Sequence, residues 1–178
     1  MPARILTDDE MASRVVMKDI LSMPLVPSKN PKIAFMFLTP GSLPFERLWE
    51  KFFLFGGMGR TITVISSDCL EFCHKVEVAF TCSNVVWGTI SMIDAEKRLL
   101  ANALQDTDNQ HFVLLSDSCV PLHDFDYVYN YLMGTNISFV DCFQDPGPHG
   151  NGRYSKQMLP EVEERDFRKG AQVFMFDQ

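Results

Sequence analysis

No stretch of this chain is apolar for long enough to cross a bilayer. Its strongly apolar runs are as short as Ile33 to Leu38, against the roughly 18–20 residues that a spanning helix needs. The N-terminus reads Met-Pro-Ala-Arg and then Asp8, Asp9 and Glu10, with no basic segment leading into an apolar one. No signal peptide is therefore expected. Clustered positive charge is also scarce. Lys and Arg number 16 against 23 Asp and Glu, a net charge of −7. That balance argues against a sequence-independent grip on nucleic acid or anionic lipid. There is no Cys-x-x-Cys among Cys69, Cys73, Cys82, Cys119 and Cys142. Cys69, Cys73, His74 and Cys82 match no standard zinc spacing and read as free or partly paired thiols. No Gly-x-Ser-x-Gly exists, which disfavours a serine hydrolase of the α/β type. The cluster Gly56-Gly57-Met58-Gly59 follows a helical pattern rather than a strand, so it lacks the context of a dinucleotide fingerprint.

What is present is an ordinary globular composition. Of 178 residues, 46% are hydrophobic and 22% charged, enough for one domain with its own core. Thr7 and Glu10 form a capping box, and Met11, Val15, Val16 and Ile20 recur at helical spacing, predicting a helix from Asp8 to Ser22. Pro24, Pro27 and Pro31 make an extended connector. Residues 1–31 are thus read as a helix plus linker, and residues 32–178 as the domain proper. Ile33 to Leu38 reads as a strand buried on both faces. Pro44 suits the first turn of a helix running to Phe53. The β-branched run Thr61 to Ile65 reads as a second strand, whereas Ser67 to Asn84 shows no clear pattern. Ser91 with Asp94 opens a helix to Gln105. Phe112 to Leu115 reads as a third strand. Phe125 to Met133 is helical, with Gly134 after it. Ile137 to Val140 and Ala171 to Phe176 are expected as the fourth and fifth strands.

Strands alternating with helices predict an α/β domain with a mostly parallel sheet. Ligands bind such sheets beyond the carboxyl ends of the strands. Thr39 to Ser42, Ser116 to Pro121 and Asp141 to Arg153 are therefore the segments to watch. Ser116-Asp117-Ser118-Cys119 follows a buried strand directly, and Asp117 there suits a ribose or sugar hydroxyl or, equally, the capping of a turn. The triplets Asp106-Thr107-Asp108 and Asp124-Phe125-Asp126 contain hard oxygen ligands of the kind divalent cations use. Neither follows a strand, and both read as helix-end and turn residues. The loop Asp145 to Tyr154 is rich in Gly and Pro, and its His149 and Arg153 suit a hydroxyl-rich or anionic ligand, the alternative being a surface loop. Asn136-Ile137-Ser138 is a glycosylation pattern, meaningful only in a secretory compartment.

Several long segments together resemble one family. They are Lys32-Ile-Ala-Phe-Met-Phe-Leu-Thr-Pro-Gly-Ser42, Val85-Val-Trp-Gly-Thr-Ile-Ser-Met-Ile-Asp-Ala-Glu96, Phe112-Val-Leu-Leu-Ser-Asp-Ser-Cys-Val-Pro-Leu122, Ser138-Phe-Val-Asp141 and Arg168-Lys-Gly-Ala-Gln172. They are similar to the plant branch of the core-2/I-branching β-1,6-N-acetylglucosaminyltransferase family, over roughly residues 4–55 and 85–172. The resemblance implies a GT-A-like domain, represented here by its N-terminal portion. It also implies inverting transfer of a sugar, N-acetylglucosamine, from a UDP-sugar to a glycan, with no metal cofactor, by a type II membrane protein of the Golgi. Carried over by position, Leu38, Thr39, Trp87, Asp117, Ser118 and Cys119 fall on the donor side, and Asp141 and Arg153 on the acceptor side.

Residues 56–84 depart from the family pattern, and Val173 stands where the family usually has Trp. The general base and the basic groups that grip the diphosphate are expected beyond Gln178, so residues 1–178 alone are expected not to catalyse transfer. A non-catalytic sugar or nucleotide-sugar binder of the same fold is the alternative. An unrelated nucleotide-binding protein such as a dehydrogenase is disfavoured by the missing glycine fingerprint.

Overall fold

The computed structural model describes residues 28–39, 43–56, 62–66, 77–80, 85–86, 88–171 and 174–177. The predicted helix Asp8 to Ser22, most of the glycine cluster after Gly56, the Cys69–Cys73–His74–Cys82 set and Trp87 lie outside these residues.

Strand β1 (Lys32–Leu38) forms the middle of a five-stranded sheet of order β3-β2-β1-β4-β5. Its flanking strands are β2 (Ile62–Ser66) and β4 (Asn109–Ser116), both parallel to it. Strand β3 (Glu77–Phe80) runs parallel to β2, and β5 (Phe174–Asp177) runs antiparallel to β4. All seven residues of β1 are buried, as its unbroken apolar sequence predicts for a strand covered on both faces. Period-two alternation then sorts them. Ile33, Phe35 and Phe37 face one apolar cluster, and Ala34, Met36 and Leu38 face the other.

Helix α1 (Glu46–Gly56) and α3 (Phe125–Met133) cover the first face. Trp49, Phe52 and Phe53 sit at helical spacing on α1 and meet Phe125 and Leu132 of α3 over Phe35 and Phe37. The rings interlock edge to face, with Phe37 and Trp49 centroids 5.0 Å apart and Phe52 and Phe125 5.4 Å apart. Such pairs add about 0.5–1.5 kcal/mol each beyond burial. The Tyr129 hydroxyl donates to the Pro31 carbonyl at 2.7 Å and ties α3 to the start of β1. Helix α2 (Ile90–Ala103) covers the second face. It presents Ala95, Leu99 and Ala103, one turn apart, to Met36, Phe112 and Leu114. Asn109, almost wholly buried, donates from Nδ2 to the Ala103 carbonyl at 2.7 Å and closes the end of α2.

The expected α/β class therefore holds, and four elements differ from their sequence reading. Helix α2 starts at Ile90, with Thr89 as its N-cap, and is not opened by Ser91 with Asp94. Ser91 lies inside the helix, and its Oγ instead accepts from the Val86 amide at 2.9 Å. Strand β3 falls within the stretch that showed no pattern. Ile137 to Val140 is not a strand of the sheet. Ile137, Phe139 and Val140 are 59%, 43% and 54% exposed, so that run lacks the burial its composition suggested. Strand β5 does not include Ala171, reaches Asp177 and is antiparallel, because it runs from the carboxyl end of β4 back along it.

Candidate functional site at the carboxyl edge

From β1 the chain passes through α1 to β2 and β3 on one side, whereas β4 joins β1 on the other. The strand order thus reverses between β1 and β4. At such a point the connections diverge and leave a crevice beyond the carboxyl ends. Leu38 pairs with Ser116 at that edge, so Thr39 and the turn Asp117 to Cys119 leave the sheet side by side. The structure brings together all the donor-side candidates except Trp87, which is outside the described residues.

They are not equivalent. Leu38 is buried in the cluster beneath α2, and Thr39 is buried too. Cys119 packs against the α1–α3 cluster, with its Sγ 3.4 Å from Ser116 Oγ. Asp117 is only half-buried and Ser118 is exposed. Their carboxylate and hydroxyl are the groups offered outward, with the Ser116 and Ser118 hydroxyls 3.0 Å apart. One side chain sets this turn from below. Trp49 Nε1 donates to the Cys119 carbonyl at 3.2 Å, linking the centre of the aromatic core to the candidate site. Sequence reading placed Trp49 on a helix and gave it no part here.

The two Asp-x-Asp triplets have structural work. Asp106 pairs with Lys32 Nζ at 2.6 Å and accepts the Asp108 amide at 3.0 Å. Asp108 accepts Ser28 Oγ at 2.6 Å. Both lie just before β4, at the opposite end of the strands from the crevice. Asp124 accepts the Tyr127 amide at 2.8 Å and caps α3, as acids favour at a helix start.

The acceptor-side candidates are placed differently from the expectation. With no strand over Ile137 to Val140, Asp141 is not at a strand's carboxyl end. It is placed instead by an isolated bridge between Phe143 and Lys169. Gly170 packs on the Asp141 carbonyl so closely that a Cβ there would collide with it.

The loop from Asp145 is not slack. The Asp145 Oδ1 accepts the Gly147 amide at 2.9 Å, its Oδ2 accepts Lys169 Nζ at 3.1 Å, and its carbonyl accepts the Asn151 amide at 2.7 Å. A side chain at Gly150 would collide with Asp145. Asp145 is thus the hub of the loop that presents His149 and Arg153, both exposed. An Asp two residues before a glycine is a turn signal legible in the sequence; its partner Lys169, far along the chain, is not.

The Gly147 amide, and after it the Lys169 ammonium, hold the Asp145 carboxyl below the usual aspartate value. A depressed folded pKa means that the carboxylate's contribution is complete above the unfolded value and fades as pH falls through the folded one. We expect the Asp145–Tyr154 loop to loosen only below about pH 4. Amide exchange at Gly147 and Asn151 checks this, and protection that is unchanged down to pH 2 would refute it.

A second concavity lies beside the loop. Asn151 and Tyr154, on either side of Arg153, line a groove of 840 Å³. None of the donor- or acceptor-side candidates lines it. The crevice between β1 and β4, chosen by topology, and this groove are thus different places.

Comparison with known proteins gives three findings. The Core-2/I-Branching enzyme family matches residues 33–178, a span that includes the 56–84 stretch set apart above. A protein of Oryza sativa subsp. japonica, Glycosyltransferase BC10, is 37% identical over 168 residues, which are 89% of this chain and 41% of that protein. The chain thus spans about two fifths of that relative's length. Among solved structures, a 4-diphosphocytidyl-2C-methyl-D-erythritol synthase from Anaerococcus prevotii overlaps 82% of this chain and 71% of its own, at 8% identity and a TM-score of 0.36. That likeness is too slight to support any conclusion.

Proposed function

The chain belongs to the plant branch of the Core-2/I-branching enzyme family, and from that premise we propose that it is part of a glycosyltransferase. The reaction we propose is inverting transfer of a sugar, N-acetylglucosamine, from a UDP-sugar to a hydroxyl of a glycan. The observation that carries this reading is the family match across residues 33–178. The reversal of strand order, with the Asp117 carboxylate and Ser118 hydroxyl at its edge, supports it.

In this reading the domain is GT-A-like, and the β1–β4 edge is the donor shelf. The Asp117 carboxylate accepts hydroxyls of the donor, while Ser118 adds a second polar group. Asp141 and the exposed Arg153 face the acceptor. Inverting transfer also needs a base for the acceptor hydroxyl and charge stabilisation of the departing diphosphate. We assign neither task to a described residue. Donor binding proceeds without a divalent metal, and the whole protein resides in the Golgi membrane. Among the described residues no helix is long and apolar enough to cross a membrane.

The test is calorimetric titration of this chain with UDP and UDP-N-acetylglucosamine, in EDTA and then in manganese. Saturable binding that is equal in both is expected. Binding only in manganese would overturn the metal-free donor site. No binding in either would remove the donor shelf from this edge. A radiolabelled transfer assay on the whole protein separates a transferase from a sugar-nucleotide binder that does no chemistry.

A further inference from the structure

We infer that Asn136 is a modification site that carries an N-linked glycan, and that this glycan covers the exposed aromatic face of α3. The inference rests on the proposed residence of the whole protein in the Golgi membrane. It concerns a part of the surface that the β1–β4 edge does not use.

Asn136-Ile137-Ser138 is the single Asn-x-Ser/Thr triplet among the 178 residues. Such a triplet is an acceptor when its middle residue is not proline and it lies on the surface outside regular structure. The structure meets the second condition. Helix α3 ends at Met133 with Gly134 as its C-cap, and residues 135–138 follow without regular structure. Asn136, Ile137 and Ser138 are all exposed. A bulky hydrophilic group on an exposed asparagine displaces no core contact.

The modification is a substitution at an anomeric carbon. A polyisoprenyl diphosphate oligosaccharide, the donor class of the secretory pathway, supplies the sugar. The bond from Asn136 Nδ2 to the sugar C1 forms, and the bond from C1 to the diphosphate oxygen breaks. One Nδ2 proton passes to a base of the transferring enzyme, and the lipid diphosphate leaves.

The surface around Asn136 gives an attached glycan something to cover. Tyr127, Tyr131 and Phe139 are 54%, 53% and 43% exposed. His123 stacks on Tyr127 at 4.3 Å, Tyr127 lies parallel to Tyr131 at 6.4 Å, and Tyr131 meets Phe139 at 6.2 Å. These four rings form a row along the outside of α3, and the exposed Ile137 and Val140 stand close to its end in the chain. Contiguous apolar surface of this kind marks a face that something covers. The chain itself supplies the cover. The Tyr131–Phe139 contact closes the residues between them into a loop, and Asn136 lies within that loop. A sugar on Asn136 is therefore tethered beside those two rings. A pyranose presents an apolar C–H face to an aromatic ring and turns its hydroxyls to water. Tethering replaces an encounter from solution by a high effective concentration.

The place also leaves the crevice open. Helix α3 begins soon after the Ser116–Cys119 turn at the carboxyl edge. It runs toward the amino ends of the strands, where the Tyr129 hydroxyl meets the Pro31 carbonyl at 2.7 Å. Asn136, beyond the far end of α3, is thus remote from the proposed donor shelf.

The experiment uses the whole protein, expressed in plant cells and recovered from the Golgi fraction. Chymotryptic peptides between Leu132 and Phe139 are mapped by mass spectrometry. Glycan is expected on Asn136 in most copies, lost in Asn136→Gln and in Ser138→Ala, and kept in Ser138→Thr. Enzymatic release of the glycan from the folded protein should raise the fluorescence of an apolar dye, which reports exposed hydrophobic surface, and Tyr131→Ser should reduce that rise. Affinity for UDP should be the same before and after release. Unmodified Asn136 in protein recovered from the Golgi would overturn the inference and leave the glycosyltransferase reading standing. Absence of the protein from that fraction would overturn its Golgi residence, and the glycan with it. Dye fluorescence that does not change on release would overturn the covering of α3, and a loss of UDP affinity would overturn the placement of Asn136 away from the shelf.

Discussion

Replacing Trp49 by alanine is expected to remove a large share of the chain's stability and to lower its unfolding midpoint sharply. Trp49 is 3% exposed and touches the rings of Phe35, Phe37, Phe52 and Phe53. Truncating a buried aromatic to alanine costs about 3–5 kcal/mol through lost burial and the cavity left behind. A domain of this size has only about 5–15 kcal/mol to lose. A second term adds to this, because the Cys119 carbonyl loses its indole donor. Trp49→Phe separates the two effects. It keeps most of the ring, removes the N–H and should cost less, with a share of about 1 kcal/mol from the hydrogen bond. Urea titration followed by circular dichroism reads both. The phenylalanine variant should stay folded and yet bind UDP more weakly, since its Ser116–Cys119 turn is no longer pinned. A Trp49→Ala chain with the parent's unfolding midpoint would show that the core is not organised around this residue.

The second large effect is on binding and leaves stability alone. Asp117→Ala should lower affinity for UDP by about 10- to 100-fold, since a hydrogen bond to a charged group contributes about 1.5–3 kcal/mol. Asp117 is half-buried and touches no core cluster, so the unfolding transition should hardly move. Asp124→Ala is the matched control. It removes the α3 cap at about 1 kcal/mol of stability and should leave UDP affinity as it was. Equal losses of affinity in the two variants would mean that the carboxylate at the strand edge has no special role, and the donor shelf would have to be placed elsewhere.

What could be read in advance follows a physical line. β1, α3 and the Asp124 cap were legible because their signals are local: an unbroken apolar run, helical spacing, an acid before the first turn. β3 was hidden because a short strand is defined by its neighbours more than by its own residues. Ile137 to Val140 misled for the complementary reason. Its composition is strand-like, but only Phe139 makes a β-bridge, and nothing in four residues says how far pairing will extend. The site divides the same way. Asp117 stood out by following a buried strand directly. That Leu38 would face α2 and Cys119 the α1–α3 core depends on which way the pleat falls, which only packing decides. The link from Trp49 to Cys119 and the Lys169 clasp on Asp145 join residues distant in sequence, and no local pattern announces them. The family resemblance supplied the donor side as a set of positions, and the fold shows that only Asp117 and Ser118 among its described members offer exposed polar groups.

The central position of β1 has a consequence for how the chain reaches its fold. Ile33 to Leu38 is the most apolar segment of the sheet, and it needs a partner on each edge and cover on each face. One edge partner, Ile62–Ser66, is made soon after it. The other, residues 109–116, and the helix before it that covers the second face come much later. On a ribosome adding about 5–20 residues each second, this strand waits for several seconds beside an empty slot. Pairing over long sequence separation is slow once all segments are present as well, because loop closure precedes the contacts that reward it. Through that interval a β-prone apolar run without a charge is open to pairing with another copy of itself. Yield of soluble protein should therefore depend on synthesis rate and temperature more steeply than on the equilibrium stability of the finished domain.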